Sequence, residues 1–209
     1  VAAFTHVKIC GVTTVADAVA CVELGASALG VNFVPSSARR VTLERAREIA
    51  RAVKGRTLMV GVVADLGVGE MRRLLRDAEL ECLQLHGDET LAVLTAMLPH
   101  AYKAVRIGSK GDVERAQAFP GRYLLADARV EGAIGGTGAT FDWSLVASLA
   151  RERMLTLAGG LTPANVGDAV RAVRPYCVDV ASGVESAPGV KDLEKVRAFI
   201  AGAHDADAA

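Results

Sequence analysis

Four kinds of stretch in this chain carry residue types that do chemistry. Lys8-Ile9-Cys10-Gly11 places a thiol where an apolar run meets a glycine, two residues after a lysine. Asp127 ends another apolar run, Arg122-Tyr123-Leu124-Leu125-Ala126, and Arg39-Arg40 form a guanidinium doublet in the polar loop PSSARR. Gly135-Gly136-Thr137-Gly138, Ala158-Gly159-Gly160 and Ala181-Ser182-Gly183 each follow a late apolar run. A cysteine so placed is either a small core hydrophobe or a reacting group, and composition alone leaves both readings open. The glycines say more when taken together. Glycine lets backbone N–H groups approach an anion, and a helix N-terminus adds partial positive charge. One such loop is turn chemistry; three in succession read as a phosphate cradle, with Gly136, Thr137, Gly138, Gly159, Gly160, Ser182 and Gly183 as the contributors.

The elements that must position these groups alternate along the whole chain. Apolar or β-branched runs at 6–10, 28–33, 57–63, 82–85, 102–107, 122–126, 154–158 and 177–180 read as strands. Helical patterns follow each: Thr13-Thr14 to Gly25, Leu43 to Val53, around Met71–Leu75, Thr90 to Leu98, Val113 to Phe119, after Phe141-Asp142, Pro163 to Val173 and Leu193 to Ile200. Thr14 with Asp17 resembles a capped helix start, and Gly25 is a natural stop. Gly67-Val68-Gly69-Glu70 has no comparable company and reads as a loop. Alternating strands and helices imply a parallel sheet under helices, and eight such units close into a barrel. The expectation is one α/β domain, a single (β/α)8 TIM barrel over residues 1–202, with a small polar tail at 203–209 that frays. In a barrel the strand ends converge on one mouth, which gathers the chemical residues from distant parts of the chain.

The charges balance, with 24 Lys and Arg against 24 Asp and Glu, so no global field recommends nucleic acid or an anionic membrane as a partner. No apolar run approaches the roughly 20 residues of a membrane helix. The four cysteines, Cys10, Cys21, Cys82 and Cys177, lie far apart without CxxC or zinc-like spacing, which reads as reduced thiols in the cytoplasm. Cys21, Cys82 and Cys177 read as core residues.

In order, KICGVT, SSARRVT, QLHG, LLADA, GGTGATFDW, LAGGLTPANV and VDVASGVESAPGVKD closely resemble the phosphoribosylanthranilate isomerase family of tryptophan biosynthesis. The resemblance runs from about Lys8 to Asp192. It implies a (β/α)8 barrel without metal or redox cofactor. It also implies an Amadori rearrangement of N-(5′-phosphoribosyl)anthranilate to 1-(2-carboxyphenylamino)-1-deoxyribulose 5-phosphate, the third step of the branch from chorismate. By motif, Cys10 becomes the general base, Asp127 the general acid, and Arg39 the grip on the anthranilate carboxylate. The partner implied is a small phosphosugar, to a monomer or homodimer.

The chemistry makes those roles demanding. Cys10 is a base only as thiolate, and an ordinary thiol near pKa 8.5 is mostly protonated at neutral pH. Residues two apart on a strand share a face, so an inward Lys8 would favour the thiolate while burial opposes it. Barrel closure sets the eighth strand beside the first, and Asp179 then either pairs with Lys8 or caps a loop. Asp127 must instead carry a proton, which its apolar neighbours favour in direction. Asn32 either faces the mouth or satisfies a neighbouring backbone, and His86 reads as structural. Phe141 and Trp143 are expected to pack against the glycine loop. The rivals are another phosphosugar barrel (a metal-dependent epimerase, or a Schiff-base aldolase using Lys8 or Lys103) and a phosphate-binding scaffold without turnover.

Overall fold

The computed structural model describes residues 5–127 and 143–207. Eight parallel strands form a closed barrel in chain order: β1 (His6–Cys10), β2 (Ala28–Asn32), β3 (Leu58–Val63), β4 (Cys82–Leu85), β5 (Ala101–Arg106), β6 (Tyr123–Asp127), β7 (Met154–Ala158) and β8 (Cys177–Val180). Seven helices link successive strands: α1 (Val15–Glu23), α2 (Leu43–Ala52), α3 (Val68–Asp77), α4 (Leu91–Met97), α5 (Lys110–Ala118), α6 (Ser144–Glu152) and α7 (Val166–Val173). A 3-10 turn at Ser182–Val184 and a short hairpin, β9 (Glu185–Ala187) with β10 (Val190–Lys191), precede α8 (Leu193–Asp207).

Strand parity divides the core into two parts. Val7, Ile9, Leu29, Val31, Leu83, Leu85, Leu155, Leu157 and Val178 are fully buried between the strands and the helices. Each such aliphatic side chain contributes about 1.5–3 kcal/mol by leaving water. The alternate residues point into the barrel, where Val60, Tyr102, Ala104, Leu125 and Ala158 form a small inner cluster. Into this interior the chain also commits Lys8, Gln84 and Asp179, all buried. The register pairs Lys8 with Asp179 across β1 and β8, and Cys10 with Gly30 across β1 and β2.

The helix starts follow local chemistry. Thr14, Thr42 and Thr90 each accept a hydrogen bond from the backbone N–H three residues on, satisfying a donor with no intrahelical partner. Two segments differ from the sequence expectation. Gly67-Val68-Gly69-Glu70 opens α3 rather than forming a loop: the Glu70 carboxylate accepts the Gly67 N–H at 3.0 Å, which offsets the poor helix propensity of the glycines. The segment expected to fray from residue 203 is helical through Asp207. Phe199, Ile200, Ala203 and Ala206 form a buried stripe at helical spacing, and the Asp207 carboxylate accepts from the Thr5 backbone N–H and, at 2.8 Å, from its hydroxyl. Small alanines hid that stripe, because they count for little in hydropathy yet pack closely.

Candidate active site

A cavity of about 270 Å³ opens at the C-terminal ends of the strands. Cys10 from β1, Arg39 from the β2–α2 loop, His86 after β4, Arg106 from β5, Asp127 from β6 and Asp179 from β8 all line it. A larger groove of about 700 Å³ lies outside the barrel, between α2 and α3, and is lined by Phe33, Leu43, Leu66 and Leu74 with charged rims. The strand-end residues of the motifs converge on the smaller cavity, which is where a barrel assembles its chemistry.

The base side is dense. The Lys8 ammonium, 2 % exposed, donates to Asp179 Oδ1 at 3.0 Å and to Gln84 Oε1 at 3.0 Å. Of the two readings of Asp179, the geometry is that of the pair. Burial is the largest single influence and works against the Lys8 charge, but Asp179, Cys10 and Tyr102 together outweigh it and hold the ammonium well above its usual range. Cys10 lies two residues further along the same inward face. Burial pushes its thiol up; Lys8 and Lys191 pull it down without overcoming burial, and Asp179 adds to the rise. The competition between cation and desolvation therefore ends with the thiol favoured in the free enzyme. Gly30 makes room for it, since a Cβ there would stand 2.8 Å from Cys10 Sγ.

Arg39 packs its stem over Gly11 and gives its Nε and Nη2 edge to Glu185, with contacts of 2.6–3.1 Å. Glu185 also accepts from Lys191 Nζ at 2.8 Å, and Lys191 donates to the Cys10 carbonyl at 2.6 Å. Burial raises the Glu185 carboxyl, but Arg39 and Lys191 override this and hold it at about 2. The guanidinium is thus locked on one edge, while its Nη1 makes no hydrogen bond among the described residues. Arg40, its neighbour in sequence, lines the outer groove instead.

The acid side is sparse. Asp127 Oδ1 is buried and has no hydrogen-bond partner among the described residues, and Oδ2 lies 3.8 Å from His86 Nε2. A buried acceptor left unmet beside a cavity is a place for a ligand group to bond. His86, expected to be structural, lines the cavity, and its Nδ1 is 3.0 Å from Gln84 Nε2. Burial lowers its proton affinity, partly countered by Asp127.

Gly159, Gly160, Ser182 and Gly183 line the same cavity. At Gly183 a Cβ would come within 2.0 Å of the Leu161 carbonyl oxygen, so this close approach of two late loops demands glycine. Gly136, Thr137 and Gly138, together with Phe141, lie outside the described residues. Trp143 packs against the outer core at the start of α6. Asn32 lines the cavity, and its Oδ1 accepts the N–H of Val34, two residues on in its own segment, at 2.8 Å rather than serving a neighbouring strand.

The rival use of a lysine as a Schiff base finds no free amine at either candidate. Lys8 is held charged, and Lys103 spends its ammonium on the Leu85 and Gly87 carbonyls and Glu89 at 2.6–3.1 Å, away from this cavity. Among the described residues no cluster of His, Cys, Asp or Glu could hold a metal ion, and no helix is long and apolar enough to cross a membrane.

Gln84, Tyr102, Arg106, Glu185 and Lys191 were not singled out by sequence reasoning. Strand parity had the signal for three of them: Gln84 shares a face with Cys82, and Tyr102 and Arg106 share one with Ala104. Glu185 and Lys191 stand within the VDVASGVESAPGVKD motif, but nothing local says that they meet Arg39.

Comparison with known proteins agrees with this arrangement. The family model for N-(5′-phosphoribosyl)anthranilate (PRA) isomerase matches residues 7–202. The N-(5′-phosphoribosyl)anthranilate isomerase of Myxococcus xanthus is 46% identical over 199 residues, covering 93% of this chain and 94% of that protein. The crystal structure of phosphoribosyl anthranilate isomerase from Thermotoga maritima superposes with a TM-score of 0.88 at 38% identity, covering 95% of this chain and 98% of that one. A crystal structure of a phosphoribosyl anthranilate isomerase in complex with reduced 1-(o-carboxyphenylamino)-1-deoxyribulose 5-phosphate has a TM-score of 0.85 at 36% identity, with the same coverage. On the match of nearly the whole chain, in sequence and in fold, the protein belongs to the N-(5′-phosphoribosyl)anthranilate isomerase family.

Proposed function

We propose that Cys10 is the general base and Asp127 the general acid of the aldose–ketose isomerisation that this family performs in tryptophan biosynthesis. The observation that carries the assignment is their convergence on one cavity from opposite parts of the chain, with Lys8 beneath the thiol and a carboxyl oxygen that has no partner among the described residues. The reaction needs two groups in opposite protonation states. Protonated Asp127 gives its proton to the furanose ring oxygen, the C1′–O bond breaks, and the anilino nitrogen's lone pair forms the C1′ iminium. Cys10, in the minor thiolate form that Lys8 and Lys191 favour against burial, then takes the C2′ proton. The C2′–H electron pair forms the C1′=C2′ bond and the iminium pair returns to nitrogen, giving an enolamine. That enolamine tautomerises to the ketone as C1′ gains a proton and the C2′ hydroxyl gives one up.

Binding is shared among the groups around the mouth. The free edge of Arg39 suits the anthranilate carboxylate in a bidentate contact. Gly159, Gly160, Ser182 and Gly183 supply backbone for the phosphate, with Gly136, Thr137 and Gly138 assigned to it by motif. In this reading the enzyme works in the cytoplasm on a small phosphosugar and takes no metal or redox cofactor.

The test is a turnover assay that follows loss of the fluorescence of the anthranilate adduct. The intact chain should convert the substrate; Cys10→Ser and Asp127→Asn should each lose about 10²–10⁴ in kcat while keeping the wild-type melting transition. Near-normal turnover in either purified variant removes that residue from its role.

A further inference from the structure

The acid side of the mouth contains a hydrogen-bond chain whose direction is set by its first member. Lys8 Nζ can only donate, so the Gln84 atom 3.0 Å away must be the amide oxygen. The same oxygen lies 3.1 Å from the Tyr102 hydroxyl, which therefore donates to it as well. With its oxygen facing two donors, Gln84 presents its amide nitrogen to His86 Nδ1 at 3.0 Å. That nitrogen carries only donors, so Nδ1 must accept and remain unprotonated. The ring proton is left on Nε2, the atom 3.8 Å from Asp127 Oδ2.

We propose that Gln84 is a positioning residue that fixes His86 as the Nε2–H tautomer, so that a neutral N–H rather than an imidazolium faces Asp127. The proposal rests on the reading of Asp127 as the acid. A full positive charge beside that carboxyl would favour its ionised form and remove the proton it must give. A neutral N–H instead stabilises the carboxylate mildly, after the proton has left. Protonating His86 would set Nδ1–H against the Gln84 amide N–H groups, two donors face to face, which the Lys8 contact prevents Gln84 from relieving by a flip.

The other charged groups around His86 divide in their effect. From β5, Lys103 and Arg106 oppose a charge on the ring; from β6 and β8, Asp127 and Asp179 favour one. Burial adds to the opposition. Gln84 is what turns this balance into a defined tautomer, and Lys8, which serves the Cys10 side through Asp179, holds Gln84 in place. One lysine thereby orients groups on both sides of the substrate.

The experiment begins with the unaltered protein carrying isotope-labelled histidine. Proton–nitrogen correlation spectra at neutral pH should show His86 with Nε2 protonated and Nδ1 bare; an Nδ1–H tautomer or a doubly protonated ring overturns the proposal without any variant. In Gln84→Leu, or Gln84→Met if the first folds poorly, the tautomers should mix and His86 should protonate at higher pH. The kcat of that variant should fall on the order of tenfold below the new midpoint, since one pKa unit is a tenfold change in population. The deficit should close above the midpoint, with KM little changed. A deficit of constant size at every pH would show a merely structural role and overturn the proposal. His86→Asn, which keeps an N–H but cannot become a cation, should abolish the pH dependence that Gln84→Leu introduces. Near-normal turnover in Asp127→Asn would sink the acid assignment, whereas the tautomer readout stands apart from it.

Discussion

The two sides of the mouth are built on different electrostatic plans. Around Cys10 stand three cations, Lys8, Lys191 and Arg39, against two carboxylates, Asp179 and Glu185, and nearly every polar group is already bonded. Around Asp127 one oxygen lacks a partner among the described residues and the other looks toward His86 from 3.8 Å. The base side therefore carries one uncompensated positive charge, which a Cys10 thiolate would neutralise. Among the described residues the acid side offers no full cation in hydrogen-bond contact with the carboxyl. A site that must hold one proton off a thiol and one proton on a carboxyl gains from that inequality.

The comparison can be broken most severely at Lys8. Lys8→Met should strand Asp179 inside the barrel and cost about 3–5 kcal/mol in denaturant unfolding, since a buried charge losing its partner is expensive. Lys8→Met combined with Asp179→Leu should recover part of that loss while leaving turnover low. If Lys8→Met unfolds like the wild type, the dense side is not held together by this pair.

Glu185 offers the next largest effect. Its carboxyl titrates at about 2 in the folded chain against an ordinary value of 4.5. A carboxyl lowered on folding adds stability that is present above its unfolded value and lost as pH falls through the folded one. Acid unfolding should therefore steepen between about pH 4.5 and 2, and Glu185→Gln should flatten that dependence while costing on the order of 3 kcal/mol near neutrality. An acid-unfolding curve with the same slope in both proteins would separate Glu185 from the base-side network.

Arg39→Ala should raise KM about 10- to 100-fold, the worth of a charge-assisted contact, with a smaller change in kcat. Arg40→Ala should do little, because Arg40 lines the outer groove. Steady-state kinetics on the two variants decide the matter, and the reverse ranking would move the carboxylate contact by one residue. The smallest effect concerns the thiol itself. Thiolate absorbance lost in Cys10→Ser should appear above the ordinary thiol range of about 8.5, since burial outweighs the cations. A midpoint near or below 7 would mean that the cations win.

Much of this was legible before any coordinates. The eight strand–helix alternations, the shared face of Lys8 and Cys10, and the adjacency of the first and eighth strands follow from periodicity and barrel closure, whereas the choice between pairing Asp179 with Lys8 and capping a loop did not. The helical tail and the start of α3 were missed because alanine and glycine carry weak local signals. In the tail Ala203 and Ala206 count through packing; at Gly67 a single Glu70 carboxylate decides. The Arg39–Glu185–Lys191 cluster joins residues 146 positions apart in the chain, and no pattern along the sequence reports such a meeting. His86 read as structural because a lone histidine gives no sign of which groups will face its nitrogens.

The sequence by itself determined the class of fold, the motifs of the family and the inventory of acid, base and anion-binding groups, since strand parity and helix caps are local physics. Tertiary structure alone decided that burial outweighs Lys8 at the Cys10 thiol, that Glu185 locks one edge of Arg39, and that Gln84 faces His86 with its nitrogen. Those outcomes depend on distances and desolvation, which exist only once remote segments have been brought together.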